Sequence, residues 1–239
     1  MSQQDEESGE GISRRRIQSL SDLIFGLALS ISALVLVGHQ PSNDQQFFFS
    51  LALYGFSFLI LMGVWRAYSR STSVLPVETS GIIQLNVVLL FCVSVVPYLF
   101  NELFATSGEL AQAVSSTFAV DLSAMFFILG SFTNTVAKEE KQLVPRSSLA
   151  RYKFERNRNL FMGLLFAASI LPFFGETTVV SITSGSTTSN ITFRHIIWFV
   201  GLAISYASNL FVPSIKTSGV AEPKPGPIPR IGNGATGLE

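Results

Sequence analysis

Six runs of apolar residues, each long enough to cross the roughly 30 Å of a bilayer's hydrocarbon core, leave this chain few folds to choose from. They lie near Ile17–Gly38, Gln45–Trp65, Ile82–Phe104, Ser116–Ala137, Asn159–Gly175 and Phe193–Val212. In lipid only helices and closed barrels satisfy every backbone group. No run alternates with the two-residue period of a barrel strand. The expected fold class is therefore an all-α integral membrane protein with six transmembrane helices. The fifth run is the least regular, because "ETTVVSI" prolongs it outward.

Composition agrees. Charged residues make up 13% of the chain, against about 25% in an ordinary soluble domain. A formal net charge of zero argues against a nucleic-acid partner. The one cysteine, Cys92, stands in an apolar run and offers neither a disulfide framework nor a thiolate metal site. The chain carries no nucleophile–base pair, phosphate loop or metal-ligand cluster, so no enzyme, metal or cofactor is expected.

Lysine and arginine set the expected orientation. With the N-terminus inside, Arg14–Arg16, Arg66, Arg70, the seven basic residues of Lys138–Arg158 and the three of the C-terminal tail all fall on the cytoplasmic side. Only Arg194 is left outside. Both termini are then cytoplasmic, in a multi-pass protein of the plasma membrane. Asp44, Glu102, Glu109, Asp121 and Glu176 gather at the outer face, where an acidic mouth would concentrate cations. Residues 1–13 are acidic and 213–239 rich in Pro and Gly, so both read as disordered ends of a six-helix transmembrane domain over 14–212. The first run is too long, and lacks the small-residue site, for a cleaved leader. "NIT" at Asn190–Thr192 is a short sequon match on the outer side. His39 and His195 fall near the outer boundary, Pro97 and Pro172 late in their spans, and Trp65, Tyr68, Tyr98 and Trp198 where interfacial belts form.

The first run, "RRRIQSLSDLIFGLALSISALVLVG", sets the sharpest question. Asp22 sits inside it, although a carboxylate near a helix centre costs on the order of 2.5–3.5 kcal/mol on insertion scales. Helical spacing gives an apolar stripe of Leu20, Leu23, Ile24, Leu27, Ile31 and Leu34. Beside it runs a small or polar stripe of Ser19, Asp22, Gly26, Ser30 and Ala33, suited to close helix packing. Ionised Asp22 accepts hydrogen bonds only. Arg16 is six residues away and leaves on another face. The candidate donors are Ser19, Ser21, Asn86, Arg66 or the Arg16 of a neighbouring copy. Asp22 thus reads as a polar clamp that fixes the rotation of the first helix.

Arg16, Leu20, Ser21 and Asp22 resemble the R-x-x-x-F-S-D signature of the transmembrane protein 175 family of endosomal, lysosomal and prokaryotic potassium channels. "YGFSFLILMGVWRAY", ending its apolar part at Trp65, resembles that family's second helix, and "LNVVLLFCVSVVPYLF", with Asn86 and Pro97, its third. Leu20 replaces the usual aromatic, and Arg66-Ala67-Tyr68-Ser69 stands where a histidine pair is common. The resemblance implies a single-repeat channel in which four copies place their first helices around a pore. It implies a hydrophobic gate at Leu27, a hydroxyl contribution to potassium preference at Ser30, and further lining by Ile31 and Leu34. Trp65, Arg66 and Asn86 are implied as supporting residues.

The implied partners are the bilayer, three further copies of the chain, and K+ with other monovalent cations. No TVGYG-like loop is present, so a carbonyl filter is absent and only modest selectivity is expected. The alternative function is a proton- or cation-coupled secondary transporter with Asp22 as its titrating group. A non-conducting scaffold is a third.

Overall fold

The computed structural model describes residues 3–38, 43–75, 79–106, 108–138, 143–184 and 187–211. His39 and the tail 213–239 lie outside the described residues. α1 runs Gln3–Gly38, α2 Asp44–Thr72, α3 Ser80–Ala105, α4 Gly108–Ala137 and α5 Arg146–Ala168. A short α6, Pro172–Glu176, leads into antiparallel strands β1, Thr178–Ser184, and β2, Thr187–Thr192. α7, Phe193–Phe211, follows directly.

Among the described residues, four helical segments are long and apolar enough to span a membrane: Arg16–Leu34, Ser50–Thr72, Ser80–Leu103 and Gly108–Ala137. The expectation of six full spans is corrected at the fifth. α5 spends its first half on the polar stretch "RSSLARYKFERNRN" and stops at Ala168. Ile170 and Leu171 then close tight turns onto Ala167 and Ala168, and Pro172 opens α6. Proline has no N–H to continue the ladder and pushes the preceding residue out of helical geometry. Beyond it, "TVVSITS" is rich in β-branched residues, which favour the pleated chain. It pairs with β2 through Val180 opposite Ile191 and Ser184 opposite Thr187. The all-α expectation therefore fails at this hairpin, which contains the "NIT" match.

At the other end, α1 begins at Gln3, so the acidic segment expected to be disordered is helical here. Gln and Glu are good helix formers, and acidic residues complement the positive N-terminal dipole. Side-chain contacts fix how the helices alternate. Trp65 and Tyr68 of α2 meet Asp22 and Ser21 of α1, Ser71 of α2 meets Thr133 of α4, and Arg70 meets Glu155 of α5, all at one end of the bundle. Arg194 of α7 meets Ser115 of α4 and Ser169 after α5 at the other.

α4 is the central helix, with its longest interface on α5 and the next on α3. Glycines let α4 and α5 close up: Gly130 lies under Leu160, and Gly163 under the ring of Phe127. Across that seam Ser123 donates to the Gly163 carbonyl at 2.9 Å. Two aromatics expected in interfacial belts belong to the core instead. Tyr68 is buried between Phe25 and Phe132, and Trp198 packs on Phe56 and Phe118 while its indole N–H donates to Ser169 Oγ at 3.0 Å. Burying a polar ring atom costs nothing net once it finds such a partner. Tyr98 is exposed, as a belt residue should be.

α1 is the outlier. It packs chiefly on α3 and α2, and only 22% of its membrane-length window is buried.

Candidate functional site

The residues that seat α1 repeat at helical spacing on one face. Ser21, Phe25, Ala28 and Ser32 are all buried against the bundle. This corrects the face assignment made from sequence. The stripe containing Asp22, Gly26 and Ser30 is not the one packed within the chain: Gly26 is exposed and a Cβ added there would meet nothing of its own bundle.

Asp22 lies at the rim of that face. Its Oδ1 accepts the indole N–H of Trp65 at 2.8 Å. None of the donors expected within the chain fills this role. Arg16 stands exposed on another flank of α1, and Arg66 faces a separate crevice toward α5 and α7. One helical turn of α2 supplies a second bond. Ser21 Oγ donates to the Ile17 carbonyl at 2.8 Å, so its single hydrogen is used. Tyr68, 2.7 Å away, is therefore the donor to Ser21. Trp65 and Tyr68, three apart on α2, thus grip the consecutive pair Ser21-Asp22 from one side. Asn86 of α3 is buried next to the Tyr68 hydroxyl. In the sequence Tyr68 read only as an interfacial-belt aromatic beside the missing histidines.

The four residues implied as pore lining share the face that α1 turns away from its own bundle. Leu27 is 58% exposed, Leu34 66% and Ile31 42%, with Leu20 and Leu23 also exposed on that stripe. Ser30, exposed between them, donates its hydroxyl hydrogen to the Gly26 carbonyl at 2.9 Å. Its lone pairs are left for an outside donor or cation. Leu27 and Ile31 also border an open apolar groove of about 410 Å³, whose far wall is Val87, Leu90 and Phe91 of α3.

The acidic residues divide. Asp44, Glu109 and Glu176 are exposed, at the end of the bundle opposite the clamp. Asp121 is buried in α4, with the buried Cys92 of α3 beside it, and does not belong to a mouth. His195 is tied down: its Nδ1 takes the Thr192 backbone N–H at 3.2 Å, and its ring meets Trp198 edge-on. It serves the joint between β2 and α7. No group of three or more metal-ligating side chains occurs among the described residues.

The family model described as "Endosomal/lysosomal potassium channel TMEM175" matches residues 16–97. No curated protein matches the chain. The fold is similar to that in the crystal structure of a lysosomal potassium-selective channel TMEM175 homolog from Chamaesiphon minutus. That likeness has a TM-score of 0.54 at 16% identity and covers 83% of this chain and 97% of the other. Ser21, Asp22, Trp65, Tyr68 and Asn86 all fall within the matched segment. The chain is thus similar to the TMEM175 family over residues 16–97, and it is a multi-pass membrane protein whose fold is like that of a TMEM175 homologue.

Proposed function

We propose that four copies of the chain place their α1 helices around a common axis and form a potassium-permeable cation pore in the plasma membrane. The observation that carries the reading is the outward face of α1. Its apolar stripe and Ser30 are exposed in a helix that buries less of itself than any other span. One chain has one such helix, so a ring needs further copies. The groove beside Leu27 and Ile31 offers a seat for the neighbour's helix. The similar solved channel is potassium-selective by name.

A ring of Leu27 side chains gates by dewetting. It favours the cation that sheds water at lower cost, which is potassium rather than sodium. Ser30 lone pairs replace part of the lost shell. Selectivity is modest because hydroxyls at one level replace far less of the shell than stacked carbonyl rings do. The asymmetry of lysine and arginine supports an orientation with both termini in the cytoplasm. The carrier reading is weaker, because Asp22 is engaged by Trp65 as an orienting group at one end of the helix.

The test is a reversal potential in planar bilayers under opposed potassium and sodium gradients. The unmodified protein should give a potassium-biased value that collapses towards zero in Leu27→Ala. Robust current with selectivity unmoved by the substitution would place the filter elsewhere. No current from verified tetramers would return the choice to a carrier or a scaffold.

A further inference from the structure

Arginines converge on a crevice where α2 ends and α5 begins. A cavity of about 170 Å³ opens there between α2, α4, α5 and α7. Arg66, Arg70 and Arg158 line it together with Trp65, Phe126 and Leu202. Among the described residues, buried Glu155 pairs with Arg70 and, at 3.2 Å, with Arg151. Burial pulls the Arg158 guanidinium below its ordinary range. Glu155 opposes that, and Arg70, Arg66 and Arg151 add to it. Three guanidiniums thus line a space whose remaining walls combine apolar groups with Asn159, Ser205 and Tyr206.

We propose that this crevice holds the phosphate headgroup of an anionic lipid, with Phe126 and Leu202 toward its acyl end. Planar guanidiniums match phosphate oxygens in pairs. Basic pockets between membrane helices take such headgroups. The site has a consequence for α1. Trp65 lines the crevice and also donates to Asp22, so an occupant rests against the residue that orients the first helix. Binding itself needs no conduction, and its test stands apart from that of the pore.

Trp65 and Trp198 are the chain's two tryptophans, and Trp198 is buried at the far end of the bundle. Emission changes therefore report on Trp65, with Trp198→Phe as the single-tryptophan control. The protein is reconstituted in phosphatidylcholine containing small fractions of lipid brominated near the headgroup, either phosphatidylglycerol or phosphatidylcholine. Brominated phosphatidylglycerol should reach half-quenching at a mole fraction about fivefold lower than the zwitterionic quencher. Arg66→Gln with Arg158→Gln should erase that preference, and Arg66→Lys with Arg158→Lys should keep most of it. Equal quenching by the two lipids in the unmodified protein would overturn the proposal, whether or not the glutamine variants fold. A second arm adds millimolar inorganic phosphate in neutral detergent. A saturable Trp65 response there, without lipid preference in vesicles, would overturn the lipid assignment in favour of free phosphate.

Discussion

The indole N–H of Trp65 donates to Asp22 Oδ1 at 2.8 Å, and this bond ties the rotation of α1 to α2. The bond is charge-assisted but lies at an exposed rim, so about 1 kcal/mol is expected of it rather than the upper range for buried charges. Trp65→Phe and Asp22→Ala should each lower the thermal stability of the detergent-solubilised assembly. The double variant should lose little more than either alone. Additive losses in that cycle, followed by size-exclusion after heating, would show that the two side chains do not act together.

Tyr68→Phe should cost about 1–2 kcal/mol, because Ser21 is fully buried and loses its incoming donor. Adding Ser21→Ala should recover part of that loss, since no acceptor is then left waiting in the core. Thermal midpoints of the two variants measure this. A double variant less stable than Tyr68→Phe alone would contradict the assigned direction of the bond.

Gly163 and Gly26 should respond in opposite ways to alanine. A Cβ at Gly163 would stand 2.9 Å from the Phe127 ring, so Gly163→Ala should cost about 1–3 kcal/mol by overpacking the α4–α5 seam. Gly26→Ala has open space and should leave the folded chain as stable or slightly more so. Matched midpoints for both variants would mean that the seam yields without cost.

Arg194→Ala should be the most damaging single substitution at the end away from the clamp. The buried guanidinium donates to the Ser169 carbonyl at 2.8 Å, to Ser115 Oγ at 2.5 Å and to the Ile170 and Gln112 carbonyls at longer range. It thereby caps the broken end of α5 and ties it to α4. Several buried acceptors lose their donor at once, at about 1–3 kcal/mol each. The expected readout is loss of the assembled species on size exclusion, with Arg194→Lys intermediate.

Ser30→Ala should shift the potassium–sodium reversal potential towards zero while sparing conductance, whereas Ser30→Thr should keep the bias. Ser30 donates its hydrogen along its own helix, so its contribution is the outward lone pairs, which threonine retains and alanine lacks. Unchanged selectivity in Ser30→Ala would remove the hydroxyl from the filter.

The sequence alone determined that this is a membrane protein, where its first four spans lie, and that α1 carries the R-x-x-x-F-S-D-like signature. Length and apolarity fix a span locally, since every backbone group in lipid must bond within its own helix. The same local rules misjudged the region after Ala168, where proline and β-branched residues gave a break and a hairpin in place of a helix. The tertiary structure decided which face of α1 is buried, because a stripe of small residues and a stripe of leucines are both acceptable toward either protein or lipid. It decided the partner of Asp22 as well. Donors on four different segments were in chemical reach of the carboxylate, and only the packing of α1 on α2 brings Trp65 to it. The buried roles of Tyr68, Trp198, Asp121 and Arg194 belong to the same class: each depends on neighbours tens of residues away in the chain, and no local spacing records them.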